Sequence, residues 1–434
     1  MAQKLTEIYQ NAENDFLERR YHDALRGFAT VAQAAPDHIW VRFRIGSILE
    51  QLKKPNRAVD IYQALAWHCI KGGYPLLGLV AIKRALGIQA AFEDALNALA
   101  ELYGLESDRI RLGLELFPLP QLDPEATADL IDESEDKLDA TATQIAQDVP
   151  DTTYPTELPP IPLFSLLTVE SFFPILELLQ LRTYAPGENV VSQGEPCSSI
   201  YMLAHGQIEV SEEHQGKAHS LARLTNGSVF GEMALISEAP RVASATALRE
   251  SEVLELSCED LELAAEDLDD ITWVMAKFTR ERFLQHLLLT SPVFKPFGDE
   301  EKREILERFT SVGVPTDEVI IKEGQPGPGL YMILGGEVEV SKFEGDSQVH
   351  LARLSEGSVF GEISLINASP TTATVRAVRG GEFLFLARED FQDLIQQRPA
   401  IEEGLAELSL ERLDEQRAAM QKAGLVSADG MVIF

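Results

Sequence analysis

A chain of 434 residues exceeds what one hydrophobic core accommodates, so about two to four domains are expected. Its 45% hydrophobic and 25% charged residues are those of an ordinary globular protein; no apolar run is long enough to span a bilayer, and the start MAQKLTEIYQNAENDF lacks a basic-then-apolar leader, so a membrane span is excluded and the cytoplasm expected. A formal net charge of −33 without a local basic patch argues against nucleic acid as a partner.

Residues 1–117 carry apolar residues at spacings of three and four, the pattern of packed helices. The stretches YHDALRGFATVAQAAP and PNRAVDIYQALAWHC align so that Ala24 and Phe28 match Ala58 and Tyr62, a shift of 34 residues. That is the period of tetratricopeptide repeats, which the region resembles; an unrelated helical bundle is the alternative. Small Ala residues let antiparallel helices approach, and a helical-repeat surface implies a protein partner. Residues 118–162 hold mostly acid, Thr, Ala and Pro, with 11 carboxylates against Lys137 alone between residues 121 and 158. Too little apolar surface is available there to offset ordering, so an acidic, flexible linker is expected, its middle forming at most a transient helix.

From residue 163 the texture changes to short alternating runs between Gly and Pro, as in ENVVSQG and IYMLAHGQIEVSEE. The texture returns after residue 292, and a gapless shift of 130 superposes Tyr201-Met202 on Tyr331-Met332 and Ser228–Glu232 on Ser358–Glu362. A duplicated β domain is therefore expected, at 163–290 and 291–410, each copy followed by helix, with a C-terminal helix and tail at 411–434. In ITWVMAKFTRERFLQHLLL, Ile271, Val274 and Phe278 form an apolar stripe read as packing rather than binding. Cys69, Cys197 and Cys258 are odd in number and scattered, which suits reduced thiols, and His214 and His219 lack further ligands at metal spacing; no metal or cofactor is expected.

The segment Phe230-Gly231-Glu232-Met233-Ala234-Leu235 runs from a strand into a glycine and then a helix-competent stretch. A helix start there would present free N–H groups to an anion. Arg241, nine residues after Glu232, could grip two phosphate oxygens at once, while Glu232 would repel phosphate but accept from a sugar hydroxyl beside it. One phosphate next to a free ribose hydroxyl describes a 3′,5′-cyclic nucleotide.

With Pro240-Arg241-Val242-Ala243-Ser244 completing it, this stretch resembles the phosphate-binding cassette of the cyclic nucleotide-binding domain family, and the likeness extends from residue 163 to about 400. The resemblance implies a multidomain α+β chain, in which the helical repeats precede two tandem eight-stranded β-rolls (jelly rolls) with flanking helices. It further implies a ligand site at Gly231, Glu232, Met233, Ala234, Arg241, Val242 and Ala243. Glu232 would take the ribose 2′-hydroxyl, Arg241 the cyclic phosphate, and the amides near Gly231 would cap it. In the family a Ser or Thr after the arginine favours guanine; Val242 stands there, so cyclic AMP is preferred over cyclic GMP.

The second copy keeps Gly361 and Glu362 but has Thr371, followed by Thr372, where the first has its arginine. Two charge-assisted hydrogen bonds lost amount to roughly 3–5 kcal/mol, about a hundredfold or more in affinity, so this second site is expected to be degenerate. Arg376 falls on the next strand and is a poor substitute. The expected protein is a cytoplasmic regulatory receptor and not an enzyme, because no nucleophile, base or metal cluster accompanies the cassette. Only about 34 residues follow residue 400, leaving no room for a helix-turn-helix, and the linker has no basic pseudosubstrate stretch like that of kinase regulatory subunits. A ligand-free interaction scaffold with degenerate β-rolls and a receptor for cyclic di-GMP are the alternatives.

Overall fold

The computed structural model describes residues 2–278 and 308–397, apart from 89–92, 112, 115, 151–153, 197, 215–216, 233–240, 242, 269, 276, 345–346 and 356. It divides into two compact units, Met1–Phe278 and Thr279–Phe434, so the division falls earlier than the expected boundary at 290. The expected C-terminal helix at 411–434 lies outside the described residues.

The first unit begins with β1 (Gln3–Lys4) and six helices: α1 (Leu5–Leu17), α2 (Tyr21–Ala34), α3 (Ile39–Gln51), α4 (Pro55–Gly72), α5 (Pro75–Leu86) and α6 (Glu93–Tyr103). Pro55 and Pro75 open their helices, where a missing N–H costs nothing, and Gly73 in the left-handed region (φ +85°) closes α4. Neighbouring helices approach closely where the sequence is small. A Cβ at Gly46 would lie 2.7 Å from the Tyr62 ring, which explains why an aromatic residue sits opposite that glycine. Ala24, Phe28, Ala58 and Tyr62, the residues related by the 34-residue shift, are all fully buried.

Residues 118–162 depart from the expected flexible linker. They contain β2 (Thr127–Ala128), which pairs antiparallel with β1, and α7 (Glu135–Gln147), which packs against α2, α3 and α4. The physical reason is a stripe that average composition conceals: Leu138, Ala142 and Ala146 recur every four residues and are fully buried on one face of α7.

After α8 (Val169–Leu178) the chain forms β3 (Gln180–Tyr184), β4 (Asn189–Val191), β5 (Ser199–His205), β6 (Ile208–His214), β7 (Lys217–Leu224), β8 (Val229–Phe230), β9 (Ser244–Ala247) and β10 (Ser251–Ser257), closed by α9 (Cys258–Asp267). These eight strands make two four-stranded antiparallel sheets, ordered β3-β10-β5-β8 and β4-β9-β6-β7. Their inner faces enclose Val191, Tyr201, Leu203, Ile208, Phe230, Ala245 and Val253. The outer face of the first sheet does not meet water. Ile200, Met202, Ala204, Leu254 and Leu256 belong to one continuous core with the N-terminal helices, and Ile271, Val274 and Phe278 join the same core.

The second unit repeats this plan with β11 (Thr310–Val314), β12 (Val319–Ile321), β13 (Gly329–Ile333), β14 (Glu337–Glu344), β15 (Ser347–Leu354), β16 (Val359–Phe360), α10 (Glu362–Ile366), β17 (Thr374–Arg379), β18 (Gly381–Ala387) and α11 (Arg388–Gln397). Its sheets run β11-β18-β13-β16 and β12-β17-β14-β15, the same order as in the first copy. Its core residues Ile321, Tyr331, Ile333, Val338, Phe360, Val375 and Phe383 stand 130 positions beyond the seven inner residues of the first.

Candidate functional site

The cassette of the first β domain is anchored by a strand pair. Tyr201 on β5 faces Phe230 on β8, and their rings stack with centroids 5.2 Å apart. The chain then turns through Gly231 at φ +81°, a conformation that L side chains avoid. Space adds to the requirement, because a Cβ there would stand 2.9 Å from both the Ser199 carbonyl oxygen and Arg241 Nη1. The glycine is what allows the guanidinium to lie against the main chain.

Arg241 is 8% exposed. Its Nη2 donates to the Ser199 carbonyl at 2.8 Å and its Nη1 to the Gly231 carbonyl at 3.1 Å, while Cζ lies 5.6 Å from the centroid of the Tyr201 ring. The backbone at Arg241 is fixed as well: its N–H donates to the Glu195 carbonyl, and its carbonyl accepts from Gly194 N–H, both at 2.8 Å. Two carbonyls and the face of a ring thus fix the guanidinium beside Gly231. Glu232 and Ala243 are half-buried at the two ends of the cassette. Met233, Ala234 and Val242 lie outside the described residues.

The second copy preserves the frame and changes the chemistry. Tyr331 and Phe360 stack at 5.1 Å, and Gly361 turns at φ +93°. Thr371 repeats the backbone pairing of Arg241, donating N–H to the Gln325 carbonyl and accepting from Gly324 N–H at 2.9 Å each. Its hydroxyl, however, donates to the Lys322 carbonyl at 2.6 Å and accepts from Gln325 N–H at 3.3 Å. A cavity of about 80 Å³ opens here between Glu362, Ser364, Thr371, Thr372 and apolar walls including Val340 and Phe360, and none of its lining residues is basic. Arg376 sits exposed on β17. Arg388, at the start of α11, donates from Nε to the Gly327 carbonyl at 2.7 Å instead of lining the cavity.

Sequence reasoning missed Ser199, because its contribution is a carbonyl oxygen that any residue could supply. It also missed the role of the Tyr201 ring, although the repeated Tyr-Met pair marked that strand. Among the described residues no group of three or more His, Cys, Asp or Glu could hold a metal ion, and no helix is long and apolar enough to cross a membrane.

The family model "Cyclic nucleotide-binding domain" matches residues 181–267 and 312–398. Curated relatives include the cAMP-dependent protein kinase regulatory subunit of Yarrowia lipolytica, 30% identical over 237 residues, and the type II regulatory subunit of Drosophila melanogaster, 26% identical over 238. Each alignment covers 54% of this chain and 58% or 59% of the relative, so the chain spans little more than half the length of either. Among solved structures, the regulatory domain of Toxoplasma gondii protein kinase A with cAMP is 20% identical, with a TM-score of 0.29, covering 57% of this chain and 92% of that one. Two tandem stretches of this chain, behind a helical N-terminal region, thus match the cyclic nucleotide-binding domain model, and the two curated relatives named are regulatory subunits.

Proposed function

We propose that the first β domain is the receptor for a 3′,5′-cyclic nucleotide, cyclic AMP in preference to cyclic GMP, and that the chain is a regulatory protein signalling through its tetratricopeptide-like helices. The observation that carries this reading is Arg241, a buried guanidinium held on the Ser199 and Gly231 carbonyls beside the Gly231 turn. An anion of one negative charge is its complement, and a ribose hydroxyl meets the acceptor chemistry of Glu232. Val242 in place of a hydroxyl side chain is the basis of the cyclic AMP preference. The second domain offers Thr371, its hydroxyl tied to the Lys322 carbonyl, and binds the same ligand at least a hundredfold more weakly.

Isothermal titration of the full chain with cyclic AMP and cyclic GMP tests the reading. The expected result is one site per chain, tighter for cyclic AMP, with affinity falling about a hundredfold in Arg241→Ala. Two equal sites would contradict the assignment of the second domain. No heat with any cyclic mononucleotide would favour a ligand-free scaffold, and a response only to cyclic di-GMP would replace the ligand.

A further inference from the structure

The segment between the helices and the first β domain is bound in cis like a ligand. On α7, fully buried Leu138, Ala142 and Ala146 form its apolar stripe, laid onto α2, α3 and α4. Its polar ties run to cations of those helices. Arg26 donates from Nη1 to the Ile131 carbonyl at 2.7 Å and to the Glu133 carbonyl at 3.0 Å, at the entrance to α7. Lys54 lies 3.4 Å from the Asp139 carboxylate. Arg42, itself almost wholly buried, donates from Nη1 to the Ile145 and Ala146 carbonyls in the last turn, where the helix leaves carbonyls without intrahelical partners and where the macrodipole favours a cation. A groove that is locally basic, in a chain of net charge −33, is thus covered by part of an acidic segment that holds 11 carboxylates against Lys137 alone between residues 121 and 158.

The fit is incomplete, which separates α7 from an ordinary core helix. Leu138, Ala142 and Ala146, with half-buried Ile145, bury less apolar surface than the Ile61, Tyr62, Leu65 and Ile70 of α4. Asp139 Oδ1 is buried with no hydrogen-bond partner, a cost that a better-matched occupant would not carry. A helix of 13 residues has no stability of its own to hold it there.

We propose that the face formed by α2, α3 and α4 is a docking groove for an acidic amphipathic helix of a partner protein, and that α7 is the built-in occupant this helix displaces. The partner helix presents a leucine-sized residue and then small apolar residues at every fourth position, an acidic residue opposite Lys54, and a C-terminal turn for Arg42.

Two measurements on the full chain test it. In hydrogen exchange of the wild type, α7 amides should exchange at least tenfold faster than those of α4; equal protection makes α7 part of the core and overturns the proposal. A labelled peptide of residues 131–149 should bind Leu138→Asp, in which the cis helix is released, at least tenfold more tightly than wild type, and Arg42→Met added to that variant should abolish the gain. A Leu138→Asp chain with native circular dichroism that ignores the peptide also overturns it. If that variant does not fold, the exchange result on the wild type decides alone.

Discussion

Replacing Arg84 by Met should break the seam between the N-terminal helices and the first β domain. Arg84, on α5, donates from Nη2 to Glu252 on β10 at 2.6 Å, and Glu252 is 1% exposed, with the Thr183 hydroxyl at 3.2 Å as its other polar neighbour. Methionine keeps most of the apolar stem but leaves that carboxylate buried and facing one hydroxyl. Removing one partner of a buried pair costs about 3–5 kcal/mol, whereas Arg84→Met combined with Glu252→Gln, which removes the stranded charge, should recover most of the loss. Trp40 supplies the probe, because its indole stacks on His205 of β5 with centroids 3.5 Å apart and planes within 9°. With Trp67 and Trp273, the other two of the three tryptophans, changed to Phe, urea unfolding followed by Trp40 emission reads this seam directly. A loss below about 1 kcal/mol in Arg84→Met, or a double variant as weak as the single, would refute the buried-pair account.

Two further outcomes follow from the same geometry. Thr371→Arg restores a guanidinium to the second cassette, whose Gly361 turn and backbone pairing with Gly324 and Gln325 already match the first. Titration with cyclic AMP should then change from one site per chain toward two; an unchanged stoichiometry would mean that the arginine is not what the second domain lacks. Burial, aided by Arg249, Arg44 and His38, pulls His205 down to about 3, so the folded chain keeps this ring neutral while the unfolded chain protonates near 6.5. The stability it contributes is complete above the unfolded value and is lost as pH falls toward the folded one, about 2 kcal/mol of it between pH 7 and pH 5. His38 and His68, also lowered by burial, act in the same direction. Urea titrations at both pH values should show a smaller drop in His205→Gln than in wild type, and equal drops would refute the assignment.

The duplication and the cassette were legible because both are local. A glycine with positive φ, an arginine and a carboxylate at fixed spacing announce a turn and its charges, and a shift of 130 aligned the two cores residue for residue. What holds the arginine was not legible, since Ser199 acts through its carbonyl and lies 42 positions away. The α7 helix was misjudged for a different reason. Composition averages over a segment, whereas docking needs only a leucine and two alanines in phase, and the surface that receives them belongs to helices about a hundred positions earlier.

The same limit explains why the helices and the first β domain were expected as separate bodies. Strand β5 reads SIYMLAH, apolar at nearly every position rather than at every second one. Alternation signals a sheet with one wet face; a continuous apolar run signals a sheet buried on both. Tyr201 and Leu203 point into the β domain, while Ile200, Met202 and Ala204 point into the helical core. At one end of the strand the Ser199 carbonyl holds Arg241, and at the other His205 stacks on Trp40. One strand is therefore the wall of two cores and the mount of the cassette arginine, which is why residues Met1–Phe278 form a single unit.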